Sequence, residues 1–111
     1  MKRLLVVDDE KMVRESAENL FGSDYQVETM DSGNDAIYLL QNESFDLVLT
    51  DFNMRLGDGK DVANYCSGRG IPVIIMTGLA LDKVKREAPR GVPVVEKLVL
   101  FDSESLEGFL P

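Results

Sequence analysis

Residues 4–10 read LLVVDDE, four large apolar residues followed directly by three carboxylates. Because residues 4–7 do not alternate with polar ones, they predict a strand that is buried on both faces, as in a parallel sheet. Asp8, Asp9 and Glu10 then lie where that strand ends. Neighbouring carboxylates repel one another unless a cation or hydrogen bonds offset their charge. The stretch therefore indicates either an acidic helix N-terminus or one part of a cation site.

The composition predicts one acidic domain. The chain has 111 residues, 44% of them hydrophobic, which suits a single core. Its 12 basic and 20 acidic residues give a net charge of -8, which opposes binding to nucleic acid and to anionic lipid. With no histidine and one cysteine, Cys66, the chain lacks the residues for an internal disulfide and for most transition-metal sites. Any bound metal should be a hard cation with oxygen ligands.

The N-terminus does not predict a targeting segment. The apolar run after Lys2 and Arg3 is too short for a signal peptide, and the acidic triplet ends it. No stretch of the sequence approaches the length of a membrane span. We therefore expect a cytoplasmic protein that binds no membrane and makes no direct contact with nucleic acid through this segment.

Apolar periodicity predicts strands alternating with helices along the whole chain. Continuous or alternating apolar runs predict five strands, and apolar residues at helical spacing predict the helices between them. Pro89 ends a short fourth helix, and a short last helix is expected over residues 102–110. The predicted strands are residues 4–7, 25–30, 45–50, 71–77 and 92–97.

This alternation implies a parallel α/β sheet with right-handed crossovers. The second strand alternates apolar and polar residues, and the fifth contains Pro93, which cannot donate to a ladder; both features are typical of sheet edges. The strands fit a flavodoxin-like, doubly wound sheet of order 2-1-3-4-5, in which the first and third strands are neighbours. Ligands of such sheets bind at the carboxyl ends of the strands, where the strand order reverses.

Polar residues follow four of the predicted strands at that edge. Asp8 and Asp9 end the first strand, and the third, fourth and fifth end at Asp51, Thr77 and Lys97. Three carboxylates in one place need a cation, and Mg²⁺ is a hard ion that takes oxygen ligands and keeps waters. The ion, Lys97 and Thr77 would contact three phosphoryl oxygens, with Asp51 as a carboxylate nucleophile toward phosphorus.

Each of these residues also has an ordinary explanation. Asp8 and Asp9 could offset a helix dipole, Asp51 could open a loop, and Lys97 could be a solvated lysine. Those explanations do not account for all of them lying at one edge of one sheet. Their combination therefore favours a site over four unrelated surface residues.

The stretches DDE, TDFNMRLGDG, MTG and EK, at their respective strand ends, resemble the receiver domain of two-component response regulators. The resemblance covers nearly the whole chain and implies one receiver domain over residues 1–111. It implies that Asp51 accepts a phosphoryl group from a sensor histidine kinase or a phosphotransfer protein. Such a domain is not an enzyme, beyond catalysing its own phosphorylation and dephosphorylation.

The same resemblance assigns the remaining roles. Thr77 resembles the switch hydroxyl, and Lys97 resembles the lysine that contacts the phosphoryl group. Phosphorylation would change the face made by the fourth helix, fifth strand and last helix, which binds an unknown output domain or protein; a homodimer stays open. We expect the chain to be part of a longer regulator. The resemblance implies Mg²⁺ ligands at Asp8 (through water), Asp9, Asp51 and the backbone carbonyl of Asn53.

Several positions depart from the family pattern. Val94 stands where the family commonly has an aromatic residue, so the usual ring rotation cannot occur. Leu98 follows Lys97 where the family has a cis proline, and we expect a trans bond because a cis bond without proline costs about 2.5–4 kcal/mol. Arg55 stands where the family often has proline. The short spacing from Thr77 to Lys97 predicts a reduced fourth helix.

Two other functions stay open from the sequence. A Mg²⁺-dependent aspartyl phosphatase of the haloacid dehalogenase type also uses aspartate, threonine and lysine around phosphate. It places a second aspartate two residues after the nucleophile, where this chain has Asn53. The other candidate is a degenerate receiver that acts as an interaction module without phosphorylation, which Val94 and the missing proline favour.

Overall fold

The computed structural model describes residues 1–78, 80–103 and 105–110 and contains a five-stranded sheet. The spatial order is β2-β1-β3-β4-β5 with every pair parallel, which confirms the predicted order and the adjacency of the first and third strands. The strands are β1 (Lys2–Val7), β2 (Tyr25–Met30), β3 (Leu47–Asp51), β4 (Val73–Thr77) and β5 (Val94–Glu96). The helices of the described residues are α1 (Lys11–Phe21), α2 (Gly33–Asn42), α3 (Gly59–Ser67), α4 (Leu81–Glu87) and α5 (Lys97–Phe101), followed by a 3₁₀ turn at Glu107–Phe109.

The strand register aligns the carboxyl ends of the strands. Val7 of β1 lies opposite Thr50 of β3, so the residues that follow each of them, Asp8 and Asp51, are also neighbours. On the other side of β3, Asp51 lies opposite Met76, one residue before the end of β4. Parallel strands in this register place their C-terminal residues at the same edge of the sheet, which is where the sequence predicts a site.

Both faces of the central strands are buried, which explains their continuous apolar sequences. Successive side chains of a strand point to opposite faces, so each strand contributes to two cores. Leu4, Val6 and Leu49 pack with Phe21 of α1 on one face, together with Leu100 of α5. The core on the other face is built with α2, α3 and α4, and its strand residues include Leu5, Val7, Val48 and Ile75.

Local signals set the helix ends. Ser32 Oγ accepts a hydrogen bond from the Asp35 backbone N–H at 3.2 Å and caps α2, and Asp58 Oδ1 accepts one from the Asp61 N–H at 3.0 Å and caps α3. Helix α4 is short, as predicted, and ends before Pro89 because the residue before a proline avoids the helical conformation. None of the helices in the described ranges has the length and apolar character that a transmembrane segment requires.

The last helix differs from the prediction. It covers Lys97–Phe101 rather than residues 102–110, where the described residues form only a 3₁₀ turn. Two interactions explain the difference. Phe101 packs on Phe21 with ring centroids 6.0 Å apart, which favours helix directly after β5. Ser103 Oγ donates to the Ser105 carbonyl at 2.9 Å and accepts from its N–H at 3.3 Å, and such local bonds compete with a helix.

The fifth strand is shorter than predicted. It comprises three residues, Val94–Glu96, and Lys97 begins α5 instead of ending the strand. Pro93 lies just before the strand, and its carbonyl accepts a hydrogen bond from the Ile75 N–H at 2.9 Å. A proline has no N–H to donate, so it marks the point where the ladder begins.

The loop between β3 and α3 is held by backbone contacts at both ends. The Gly59 N–H donates to the Phe52 carbonyl at 2.8 Å, and the Gly33 N–H donates to the Gly57 carbonyl at 3.1 Å. Gly59 is buried so tightly that a Cβ there would overlap the carbonyl of Asp51 and the backbone of Phe52. The position of Asp51 therefore depends on a glycine eight residues later, which the sequence shows only as part of a loop.

Replacing Gly59 by alanine tests this close contact. We expect Gly59→Ala to lower the free energy of unfolding by about 1–3 kcal/mol, because the backbone beside Asp51 must shift. Urea unfolding measures the change. Gly68→Ala is the matched control, since its Cβ would lie 3.4 Å from the nearest atom at an ordinary φ of −68°, and its effect should stay within about 0.5 kcal/mol. Equal stabilities of the two variants would contradict the tight packing at Gly59.

Candidate functional site

The acidic residues predicted from the sequence meet at the C-terminal edge of the sheet. Asp8 directly follows β1, Asp51 is the last residue of β3, and Asp9 lies beside Asp8. One carboxylate oxygen from each of the three lies within 4.8 Å of the others. The three carboxylates thus form one cluster, although more than 40 residues separate the pair from Asp51.

Asp8 is completely buried and oriented by its neighbours. Its Oδ1 accepts a hydrogen bond from the Glu10 N–H at 2.8 Å, and its backbone carbonyl accepts one from Arg14 Nη1 at 2.9 Å. Its Oδ2 has no hydrogen-bond partner among the described residues, although Lys97 Nζ lies 3.0 Å away as an ion-pair partner. A buried carboxylate oxygen without a hydrogen bond is rare and costly. This oxygen is therefore available to a bound metal or to a water on that metal.

Lys97 lies between two carboxylates. Its Nζ is 3.0 Å from Asp8 Oδ2 and 3.2 Å from Asp51 Oδ1, and only 16% of its side chain is exposed. Burial lowers the pKa of Lys97, but the Asp8 and Asp51 carboxylates together raise it, and the net shift is upward. The lysine is therefore a permanent ammonium in the folded chain.

The pKa of Asp51 is also raised, which for a carboxyl group disfavours the charged form. Burial raises its pKa most, the Asp8 carboxylate raises it further, and Lys97 lowers it, so that the pKa is about 6. One buried ammonium does not neutralise three carboxylates. A divalent cation with oxygen ligands would supply the missing positive charge, so the donor set fits Mg²⁺. Asp8 Oδ2, which in the described residues faces the Lys97 ammonium and accepts no other hydrogen bond, has room for a further contact and is a second reason for that fit.

The structure places the remaining predicted residues around the cluster. Thr77 is buried at the end of β4, opposite Glu96 and one position before Lys97 in register. Asn53 is exposed, two residues after Asp51 in the loop. Val94 is half-buried and packs against the core shared with α2, α3 and α4. No cis peptide bond occurs in the described residues, so the predicted trans bond after Lys97 is confirmed.

Three contacts at the site were missed by sequence reasoning. Arg14 holds the Asp8 carbonyl from the first turn of α1, and Glu10 Oε1 lies 3.8 Å from Lys97 Nζ. Arg55 Nε lies 3.8 Å from Asp9 Oδ2. The sequence marked Arg55 as unusual in the loop, but its partner depends on how the loop turns back toward β1.

Most of the chain matches a known protein family. Residues 4–91 match the model of the response regulator receiver domain. The chain belongs to this family. Response regulator MprA of Mycobacterium sp. strain KMS is 36% identical over 78 residues, which are 68% of this chain and 34% of MprA. The chain thus spans about a third of the length of that relative.

Solved receiver structures show the same fold. The Francisella response regulator 1452 receiver domain superposes with a TM-score of 0.76 at 19% identity, covering 92% of this chain and 88% of that one. The DrrB receiver domain, described as BeF3-activated, has a TM-score of 0.76 at 23% identity and covers 92% of both chains. This protein therefore has the flavodoxin-like receiver fold of two-component signalling. Receiver domains are signalling modules rather than classical enzymes.

The raised pKa of Asp51 makes a stability prediction for the metal-free protein. Because the folded pKa of about 6 exceeds the ordinary 3.8, the folded chain binds more protons than the unfolded chain between these values. Stability therefore falls as pH rises through this window, and the cost is fully present at pH 7. Asp51→Asn should raise the free energy of unfolding by about 1–3 kcal/mol at pH 7 in EDTA, with the gain vanishing toward pH 4.

Urea unfolding at the two pH values measures this gain. Asp102→Asn, at an exposed position, serves as the control and should change stability by less than about 0.5 kcal/mol at either pH. A gain from Asp51→Asn of the same size at pH 4 and pH 7 would show that the charge of Asp51 is not its cause.

Proposed function

We propose that the chain, over residues 1–111, is a phosphoacceptor receiver domain that takes a phosphoryl group onto Asp51. The donor is the phosphohistidine of a sensor histidine kinase or of a phosphotransfer protein. The observation that carries the proposal is the cluster of Asp8, Asp9 and Asp51, in which the buried Asp8 and Asp51 contact the ammonium of Lys97. Membership of the receiver family supports the identity of the donor.

The proposed reaction moves one phosphoryl group between two nucleophiles. An Asp51 carboxylate oxygen forms a bond to phosphorus while the bond from phosphorus to the imidazole nitrogen of the donor breaks, and that nitrogen keeps the electron pair. Lys97, already 3.2 Å from Asp51 Oδ1, contacts a phosphoryl oxygen, and the Thr77 hydroxyl contacts another. Water later attacks the phosphorus, the bond between phosphorus and the Asp51 oxygen breaks, and inorganic phosphate leaves while the carboxylate is restored.

The metal site is proposed from the same cluster. Asp9 and Asp51 would hold Mg²⁺ directly, Asp8 would hold it through water, and Asn53 would contribute its backbone carbonyl. When bound, the ion supplies positive charge that offsets the repulsion between the phosphoryl oxygens and the attacking carboxylate. Asp8 and Lys97 keep Asp51 oriented toward the open edge of the sheet.

Phosphorylation would change the neighbouring face by adding about −1.5 to −2 charge at one point. Thr77 ends β4, and the chain then enters α4 through Ala80, which has a left-handed backbone (φ 55°). Movement of the Thr77 hydroxyl onto the phosphoryl group would shift the end of β4 and, with it, the start of α4. Since Val94 has no ring to rotate, the face made by α4, β5 and α5 would signal to an output domain, an output protein or a second copy without that rotation.

Two alternatives have weaker support. The amide of Asn53 cannot act as the general acid that a phosphatase of the haloacid dehalogenase type places at this position. An interaction module that works without phosphorylation would have no need for the buried Asp8, Asp51 and Lys97 arrangement, which costs free energy to bury. Val94 remains the feature that favours the module.

The first test is phosphorylation by a small donor. The protein is incubated with Mg²⁺ and acetyl phosphate or phosphoramidate, and intact mass spectrometry should show the gain of one phosphoryl group. Asp51→Asn should show no gain, and EDTA should abolish the gain in the wild type. Asp61→Asn is the matched control, because it removes an exposed carboxylate from the start of α3 and should leave the reaction unchanged.

A short-lived aspartyl phosphate is distinguished from a silent site by titration with beryllofluoride, which mimics the phosphoryl group. Binding by the wild type and not by Asp51→Asn supports the proposal even where no mass gain accumulates. A folded protein that neither gains mass nor binds beryllofluoride would overturn the proposal in favour of the interaction module.

A further inference from the structure

Arg55 places a positive charge beside the acidic cluster, next to the carboxylate that Lys97 does not contact. Its Nε lies 3.8 Å from Asp9 Oδ2, and 88% of its side chain is exposed. In the described part of the chain, Asp9 forms its ion pair with Arg55, whereas Lys97 pairs with Asp8 and Asp51. The two cations therefore divide the three carboxylates between them.

The loop fixes the backbone at Arg55 but leaves its guanidinium free to move. Leu56 and Gly57 accept hydrogen bonds from the N-terminal backbone of α2, at 3.3 Å from Asn34 and 3.1 Å from Gly33. On the other side, Met54 packs against the core. The Arg55 backbone is thus held between anchored neighbours, while its side chain, which is 88% exposed, can change direction without disturbing any packing.

An open cleft beside Asp9 can receive the displaced guanidinium. It has a volume of about 290 Å³ and is lined by Asp9, Asp31, Arg55 and Leu56. Asp31 gives this cleft a second carboxylate, which is exposed. Arg55 therefore has an alternative acidic neighbour when it leaves Asp9.

We infer that Arg55 competes with the metal for Asp9, pairing with this carboxylate in the metal-free chain and leaving it when Mg²⁺ binds. The inference rests on the proposed metal-dependent function. A guanidinium at this distance repels an incoming divalent cation and offers Asp9 a partner that the cation must replace. Arg55 thereby raises the Mg²⁺ concentration at which the site fills, an effect that the uncharged proline common at this position in the family cannot have.

The test is the Mg²⁺ affinity of the full chain, measured by isothermal titration calorimetry without any phosphodonor. Arg55→Gln should bind Mg²⁺ about two- to fivefold more tightly than the wild type at low salt, because one exposed charge is removed near the ion. The gain should shrink as NaCl is added, since salt screens exposed charges. Arg55→Lys keeps the charge and should stay nearer to the wild type.

Lys2→Gln is the matched control. It removes the same charge from the start of β1, roughly 20 Å along the strand from the cluster, and should leave the affinity unchanged. Equal or weaker Mg²⁺ binding by Arg55→Gln, with measurable binding by the wild type, would overturn the inference and leave the metal site standing. No binding by the wild type or by any variant would overturn the proposed metal-dependent function and the inference with it.

Discussion

The contact of one buried ammonium with two buried carboxylates organises this domain. Lys97 Nζ lies 3.0 Å from Asp8 and 3.2 Å from Asp51; Lys97 is the first residue of α5, Asp8 directly follows β1, and Asp51 ends β3. Three carboxylates at one edge would repel one another, and Lys97 offsets only part of that repulsion. Burial raises the pKa of Asp51 most, and the Asp8 carboxylate raises it further. The three carboxylates at this edge could hold a divalent cation. Burying them costs stability, and the two apolar cores offset that cost.

The helices and loops fix this arrangement from outside. Arg14 of α1 holds the Asp8 carbonyl, and the Gly59 N–H holds the Phe52 carbonyl next to Asp51. Both contacts act on backbone carbonyls beside the carboxylates; the Arg14 guanidinium also brings a positive charge close to Asp8, whereas the Gly59 N–H adds no charge. At the N-terminal end of β1, ion pairs hold the neighbouring elements together. Arg3 of β1 binds Glu28 and Glu43 at 2.8 Å each, so that the first two strands and the end of α2 are joined there.

Apart from Arg55, which lies beside Asp9, the departures from the family pattern lie on one side of the sheet. Val94, the trans bond before the exposed Leu98, the short α4 and the five-residue α5 all lie on the side of β4 and β5. The match to the family model ends at residue 91, before Lys97, yet the structure places Lys97 in contact with the cluster. The structure thus brings the acidic cluster and Lys97 together at one edge, while these departures alter the face that would, on the proposed function, transmit a signal.

The sequence by itself determined the strand order, the edge where the site lies and the identity of Asp8, Asp9, Asp51 and Lys97 as its members. These follow from local patterns, because apolar periodicity decides strand type and parallel strands must align their ends. The tertiary structure decided what depends on residues distant in sequence. Because Phe101 packs on Phe21, the last helix forms at Lys97–Phe101 and not at the predicted residues. The path of the loop places Arg55 beside Asp9. The pKa of Asp51 likewise depends on burial and on Asp8, which only the folded chain brings beside it.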